Sequence, residues 1–376
     1  MLKKKVVSKA LILAVLLLVL ASGLALPTCR PVEGIPRGWS GVSVIDGTLF
    51  LGSMAGELVA IDKSTQQRLW PDVLFEQKQS GGFGCARGSQ AVAIYGTPAV
   101  YSELVYLTGY NGKIYAVNAE TGALRWVYPR EDNLEPIVGG PVVSGGRVYF
   151  GGSDGKLYAL DAATGDGLWK FESGDEIWGT PAVNGDTLYI GSFDNKLYAL
   201  NVADGSLKWD FETEGAIVAT PLVYDGTVYA GSFDRHLYAL SEADGSLLWK
   251  YQANNWFWSR PVADDGIIYA GSIDGRVYAL TAAKGEIVAT FDLEGPVSSS
   301  PVLVDGNIIV AVQAGQLYSL KVSPRQQRML IELGDEVYAP LAAGDGVVYI
   351  HSADDVLYAI DARSGAELWN LELDSE

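Results

Sequence analysis

Apolar and polar positions alternate with the two-residue period of β-strands along most of this chain, broken at regular intervals by Gly- and Asp-rich turns. The clearest unit is Gly179–Glu212, GTPAVNGDTLYIGSFDNKLYALNVADGSLKWDFE. Gly179–Val183 is a short apolar run, and Asn184-Gly185 after it is a hairpin signal, because a tight turn needs positive φ angles that Asn, Asp and Gly accept cheaply. Thr187–Ser192 predicts a second strand, Phe193-Asp194-Asn195 a turn, Lys196–Asn201 a third strand, Asp204-Gly205 a turn and Leu207–Phe211 a fourth. Both faces of the third strand are apolar, with Leu197 and Ala199 on one side and Tyr198 and Leu200 on the other. A sheet of such strands must be covered on both faces.

The unit returns about every 40 residues, marked by Pro98, Pro141, Pro181, Pro221, Pro261, Pro301 and Pro340. Val42 takes the proline's place in one earlier unit, which makes eight. The hairpin slot repeats as Asp46-Gly47, Gly145-Gly146, Asp225-Gly226, Asp265-Gly266, Asp305-Gly306 and Asp345-Gly346. Four strands per unit, covered on both faces by neighbouring units, predict an all-β, eight-bladed β-propeller of four-stranded antiparallel blades over residues 38–376. A parallel β-helix needs shorter repeats, and a helical solenoid needs a 3.6-residue period that is missing.

The N-terminus has a different pattern. Lys3, Lys4, Lys5 and Lys9 precede an apolar run from Ala10 to about Leu26, the layout of a secretory signal, so the protein is expected to be exported. Residues 1–28 are read as a signal peptide or an N-terminal anchor and 29–37 as a short linker. Ala21-Ser22-Gly23 and Gly23-Leu24-Ala25 offer small residues for cleavage. Leu26-Pro27-Thr28-Cys29 resembles a lipoprotein box, although Pro27 and Thr28 replace its usual small residues. An uncleaved anchor is a third reading, since the run approaches the ~20 apolar residues that span a bilayer. Cys85 lies in an insertion at about 76–94 between the first two blades, so a Cys29–Cys85 disulfide competes with lipidation of Cys29, and export permits either.

Charge narrows the partners. Loss of residues 1–28 removes four lysines and no acid, taking the formal charge from −18 to −22. This argues against nucleic acid as a partner and against an anionic membrane bound through the propeller surface, so membrane contact is expected through the N-terminus alone. The propeller is expected to be monomeric.

A second repeated motif follows the third strand: ALDAATGDGLW at Ala159–Trp169, AVNAETGALRW at Ala116–Trp126 and AIDARSGAELW at Ala359–Trp369. It resembles the tryptophan-docking motif of quinoprotein-like (PQQ-like) propellers. That resemblance implies an indole packed beside the alanine and against the neighbouring blade, with Asp and Thr holding the turn. Trp70, Trp126, Trp169, Trp209, Trp249 and Trp369 occupy the slot, whereas blades 6 and 7 carry Ala289 and Met329 and are expected to form the loosest seam. Within the family the layout is closest to the exported outer-membrane assembly lipoproteins, eight-bladed non-catalytic scaffolds. This implies an envelope protein or extended peptide as partner and no cofactor. The quinone-dependent dehydrogenases of the family are longer and carry adjacent cysteines, calcium ligands and a catalytic Asp in long insertions, none of which has a counterpart here. A small-molecule, glycan or PQQ-binding module is the alternative, and a PQQ-dependent oxidoreductase the most remote one.

The chain offers no catalytic or metal-ligating set. His236, taking the place of Asn195 in a turn, and His351, replacing Gly191 at a strand end, lack partners at ligand spacing. Asp154, Asp194, Asp234, Asp274 and Asp354 share one turn slot, where Asp bonds its own backbone. The binding candidates are the aromatics without a docking role. Trp39, Tyr95, Trp178 and Trp258 lie three residues before the innermost strand's proline or its equivalent, the slot held elsewhere by Val138, Val218, Ser298 and Val337. With Trp256 and Arg260 they are expected at the mouth of the central channel, where aromatics beside an Arg suit recognition.

Overall fold

The computed structural model describes residues 38–77 and 90–373. Cys29, Cys85, residues 1–28 and the centre of the insertion lie outside them.

Eight four-stranded antiparallel sheets follow one another, each built from one continuous stretch of chain with its strands in sequence order. Blade 1 runs from Ser43 to Leu74, blade 2 from Ala99 to Tyr128, blade 3 from Val142 to Glu172 and blade 4 from Ala182 to Glu212. Blade 5 is Leu222–Gln252, blade 6 Val262–Asp292, blade 7 Val302–Glu332 and blade 8 Ala342–Glu372. Blade 4 has strands Ala182–Asn184, Thr187–Gly191, Lys196–Asn201 and Leu207–Glu212, within one or two residues of the pattern read from the sequence. The hairpin aspartates Asp225, Asp265, Asp305 and Asp345 adopt φ between 44° and 52°, as a tight turn demands. The innermost strand of blade 1 adjoins that of blade 8, so the ring closes.

The core is eight clusters, one at each seam. Between blades 4 and 5, Tyr189, Leu197, Ala199 and Trp209 meet Val228, Ala230, Tyr238 and Leu240. The two apolar faces of each middle strand therefore belong to two different seams.

The docking motif works across these seams. Trp209 pairs across the sheet with Ala199, and its Nε1 donates to the Glu242 carbonyl of blade 5 at 3.1 Å. Its ring lies on Gly245 of that blade, φ +73°, where an added Cβ would come within 2.6 Å of Cε3. Trp70, Trp126, Trp169 and Trp249 repeat the bond to Ala119, Ala162, Val202 and Ala282. Asp161 accepts from the Ala163 and Thr164 amides and so holds the turn that presents Ala162.

Several sequence assignments shift. The docking slot of blade 7 belongs to Arg328, not Met329: Ser319, in the alanine's place, pairs with Arg328, because the strand bulges near Leu317 and Tyr318. The Arg328 guanidinium donates to the Arg363 and Ser364 carbonyls of blade 8, in the indole's stead. In blade 6, Ala289 sits in a cluster with the fully buried Phe291, while Arg325 and Gln327 of blade 7 bond to the Thr290 and Asp292 carbonyls. His236 opens a third strand, and Arg235, φ +74°, holds the turn place given to it. The regular connection into blade 2 resumes by Val92, since Val92 and Ile94 are already in the seam, which shortens the insertion.

Closure of the ring is polar as well as apolar. His351, 1% exposed, takes the place of a strand-end glycine. Its Nδ1 lies 2.9 Å from the Ser40 carbonyl and its Nε2 2.8 Å from Asp355 Oδ1, which also accepts the Met54 amide. Arg68 of blade 1 holds Asp72 through Nε and donates through Nη2 to the Leu373 carbonyl beyond blade 8.

Candidate functional site

Each blade is reached through four residues: one buried, one at the rim, one small, one facing the channel. In the stretch leading to blade 4, Ile177 is fully buried over Gly151, where a Cβ would strike its side chain at 2.1 Å. That anchor turns the next residue, Trp178, toward the axis. Ile94, Ile217, Phe257 and Val297 lie over Gly52, Gly191, Gly231 and Gly271 in the same way, and one cavity draws on Trp39, Tyr95, Val138, Trp178, Val218, Trp258, Ser298 and Tyr338, one rim residue from each blade. It is the mouth of the central channel.

The structure brings Trp39, Tyr95, Trp178, Trp258 and Arg260 together there, all but Arg260 half-buried. Trp256 stands outside the cavity and stacks on Phe233, ring centres 4.7 Å apart, while Trp258 stacks on the same ring at 5.3 Å. Blade 8 departs from the expected register. Pro340 falls one residue early, so Val337 is the buried anchor and Tyr338 the rim residue. Tyr338, Trp39 and Tyr95 then form a continuous aromatic arc, with Trp39 5.6 Å from Tyr338 and 4.7 Å from Tyr95.

Four rim aromatics have no place in the tryptophan series. Besides Tyr338, these are Tyr110, which meets Tyr95, Phe193, which meets Trp178 at 4.7 Å, and Phe233. The signal was available: Tyr110, Phe193 and Phe233 each precede the turn Asn or Asp, one or two residues beyond the second strand.

Inside the aromatics lies a polar ring of Thr97, Thr180, Thr220, Arg260 and Ser300. Neighbouring blades are linked through it, with the Gly140 amide donating to Thr180 Oγ1 at 2.9 Å and the Arg260 amide to Ser300 Oγ at 3.2 Å. No Asp or Glu lines the cavity among the described residues, so Arg260 is its one charge. The side chain is open to the channel but walled by protein, and that desolvation lowers its pKa. Burial raises the Tyr95 phenol, and burial with a bond to Glu336 pushes Tyr338 up to about 12, so both stay neutral donors near pH 7.

The turn aspartates are occupied. Asp194 accepts the Lys196 amide, the Tyr198 hydroxyl at 2.6 Å and the Gly174 amide from the preceding interblade loop. Asp234 and Asp274 repeat the pattern. These carboxylates join consecutive blades; the geometry gives them no free face for cations.

Comparison with known proteins gives consistent results. The family described as outer membrane protein assembly factor BamB matches residues 30–176, 153–255, 254–328 and 274–376. An outer membrane protein assembly factor BamB of Kangiella koreensis is 32% identical over 96 residues, 26% of this chain and 23% of that protein. The matched stretch is thus about a quarter of either protein. The crystal structure of BamB from Moraxella catarrhalis superposes with a TM-score of 0.70 at 19% identity, over 85% of this chain and 92% of the other. The computationally designed Ika8 protein gives 0.72 at 17% identity, over 87% and 97%. At such identities the superpositions speak for the fold.

Proposed function

The chain belongs to the family described as outer membrane protein assembly factor BamB, and on that premise we propose that it is an exported scaffold which holds an envelope protein, or an extended segment of one, at the mouth of its channel. The single observation that carries this reading is the convergence of Trp39, Tyr95, Trp178, Trp258 and Tyr338 on one cavity. Half-buried aromatic faces around a concave mouth offer large contact area with little side-chain entropy left to lose, as binding hot spots do. The protein holds its partner and does no chemistry on it, so no cofactor is needed. In this reading the N-terminal residues tether it to the membrane, through a lipid on Cys29 or an uncleaved anchor.

The test is capture from cross-linked envelopes. Replacing Trp178 and Trp258 together by Ala is expected to abolish recovery of a partner that the unaltered chain recovers reproducibly. The ring should survive, because neither residue belongs to a seam cluster. Undiminished capture by the double variant would refute the channel mouth as the binding surface. Mass spectrometry of the captured mature chain reads the tether directly, since a Cys29–Cys85 linked peptide excludes lipid on Cys29.

A further inference from the structure

We propose that Arg260 forms a carboxylate subsite in the channel mouth, taking an acidic side chain or the terminal carboxylate of the bound segment. The subsite rests on the recognition reading above and adds to it the chemistry of the ligand.

Two observations meet at this place. Among the described residues Arg260 makes no salt bridge and its guanidinium no hydrogen bond; its backbone amide alone donates, to Ser300 Oγ. In a chain of formal charge −18, where Lys63, Arg68, Arg276 and other cations have carboxylate partners, Arg260 has none and faces a channel mouth lined by no Asp or Glu among the described residues.

A carboxylate answers that need. Its two oxygens accept from a guanidinium fork, and bonds between two charged groups are the strong ones. The position also fits a peptide. Arg260 follows Trp258 by two residues and faces the Tyr338–Trp39–Tyr95 arc across one mouth, so apolar side chains flanking the carboxylate would meet aromatic walls.

Three versions of one eight-residue apolar peptide separate the sources by calorimetric titration. One carries an internal Glu and an amidated end, one carries Gln and a free C-terminal carboxylate, and one carries Gln and an amidated end. At least one carboxylate peptide is expected to bind about tenfold or more tightly than the neutral one. Arg260→Gln should erase that difference, Arg260→Lys should restore part of it, and the melting temperature should stay unchanged, because the guanidinium has no internal bond to lose. Equal binding of all three peptides, or an advantage that persists in Arg260→Gln, overturns the subsite. So does displacement of the carboxylate peptide by millimolar inorganic phosphate, or tighter, Arg260-dependent binding of pyrroloquinoline quinone. Neutral-peptide binding that depends on Trp178 and Trp258 would leave the recognition reading standing when the subsite fails. Absence of binding by any peptide, together with failed partner capture, overturns both.

Discussion

At the scale of single residues, the seam between blades is an indole lying on a glycine. Trp209 supplies buried area, a donor for the Glu242 carbonyl and a flat face; Gly245 supplies the absence of a side chain. Trp209→Ala should cost about 3–5 kcal/mol, the usual loss for emptying a buried aromatic site. Gly245→Ala should cost about 1–3 kcal/mol, from a Cβ forced against the ring and a positive φ. The two losses should not add, because removal of the indole also removes the clash and leaves only the backbone part of the second penalty. Chemical denaturation of the two single variants and the double variant measures the coupling; full additivity would mean that ring and glycine do not act as one contact.

At the scale of the strand, the weak element is the outer strand of blade 7. In blade 4 the outer strand Leu207–Glu212 buries Trp209; in blade 7, Gln326–Glu332 buries no residue fully and reaches its neighbours through long exposed side chains. Arg328 bonds the next blade at the position where six blades carry an indole, but a solvated guanidinium replaces little apolar burial. Amide hydrogen exchange should therefore be faster over residues 326–332 than over residues 207–212. Equal protection would show that the arginine clasp holds this edge as firmly as tryptophan. The expectation of a loose seam came from counting tryptophans; the bulge that moves Arg328 into the slot depends on strand pairing, which composition does not report.

At the scale of the whole ring, repetition multiplies small terms. Burial pushes the phenols of Tyr106 and Tyr278 up to about 12 from the ordinary 10.0, with a bond to Asp274 adding to the effect at Tyr278, and other blade tyrosines shift in the same direction. A group whose folded pKa lies above its unfolded value contributes stability that is whole below the unfolded pKa and is lost as pH rises through the folded one. The melting temperature should thus be flat toward pH 10 and fall steeply between about 10 and 12. A flat profile across that window would mean that the folded tyrosines ionise as freely as unfolded ones.

The period of 40 residues, the turn residues and the two-faced apolar strands were enough to determine eight four-stranded blades, because strand pairing within a blade is local and each blade is one continuous stretch. The rim tryptophans were legible too, since their register follows the same count. What only the closed ring decided lies where distant segments meet. Tyr338 enters the aromatic arc because blade 8 sits beside blade 1, His351 finds Ser40 across 311 residues of chain, and Ser259, Arg260 and Ser298 come to line one cavity from two neighbouring blades. A linear pattern records which face a residue takes within its own sheet. Which residues then share the axis is set by how eight sheets pack around it.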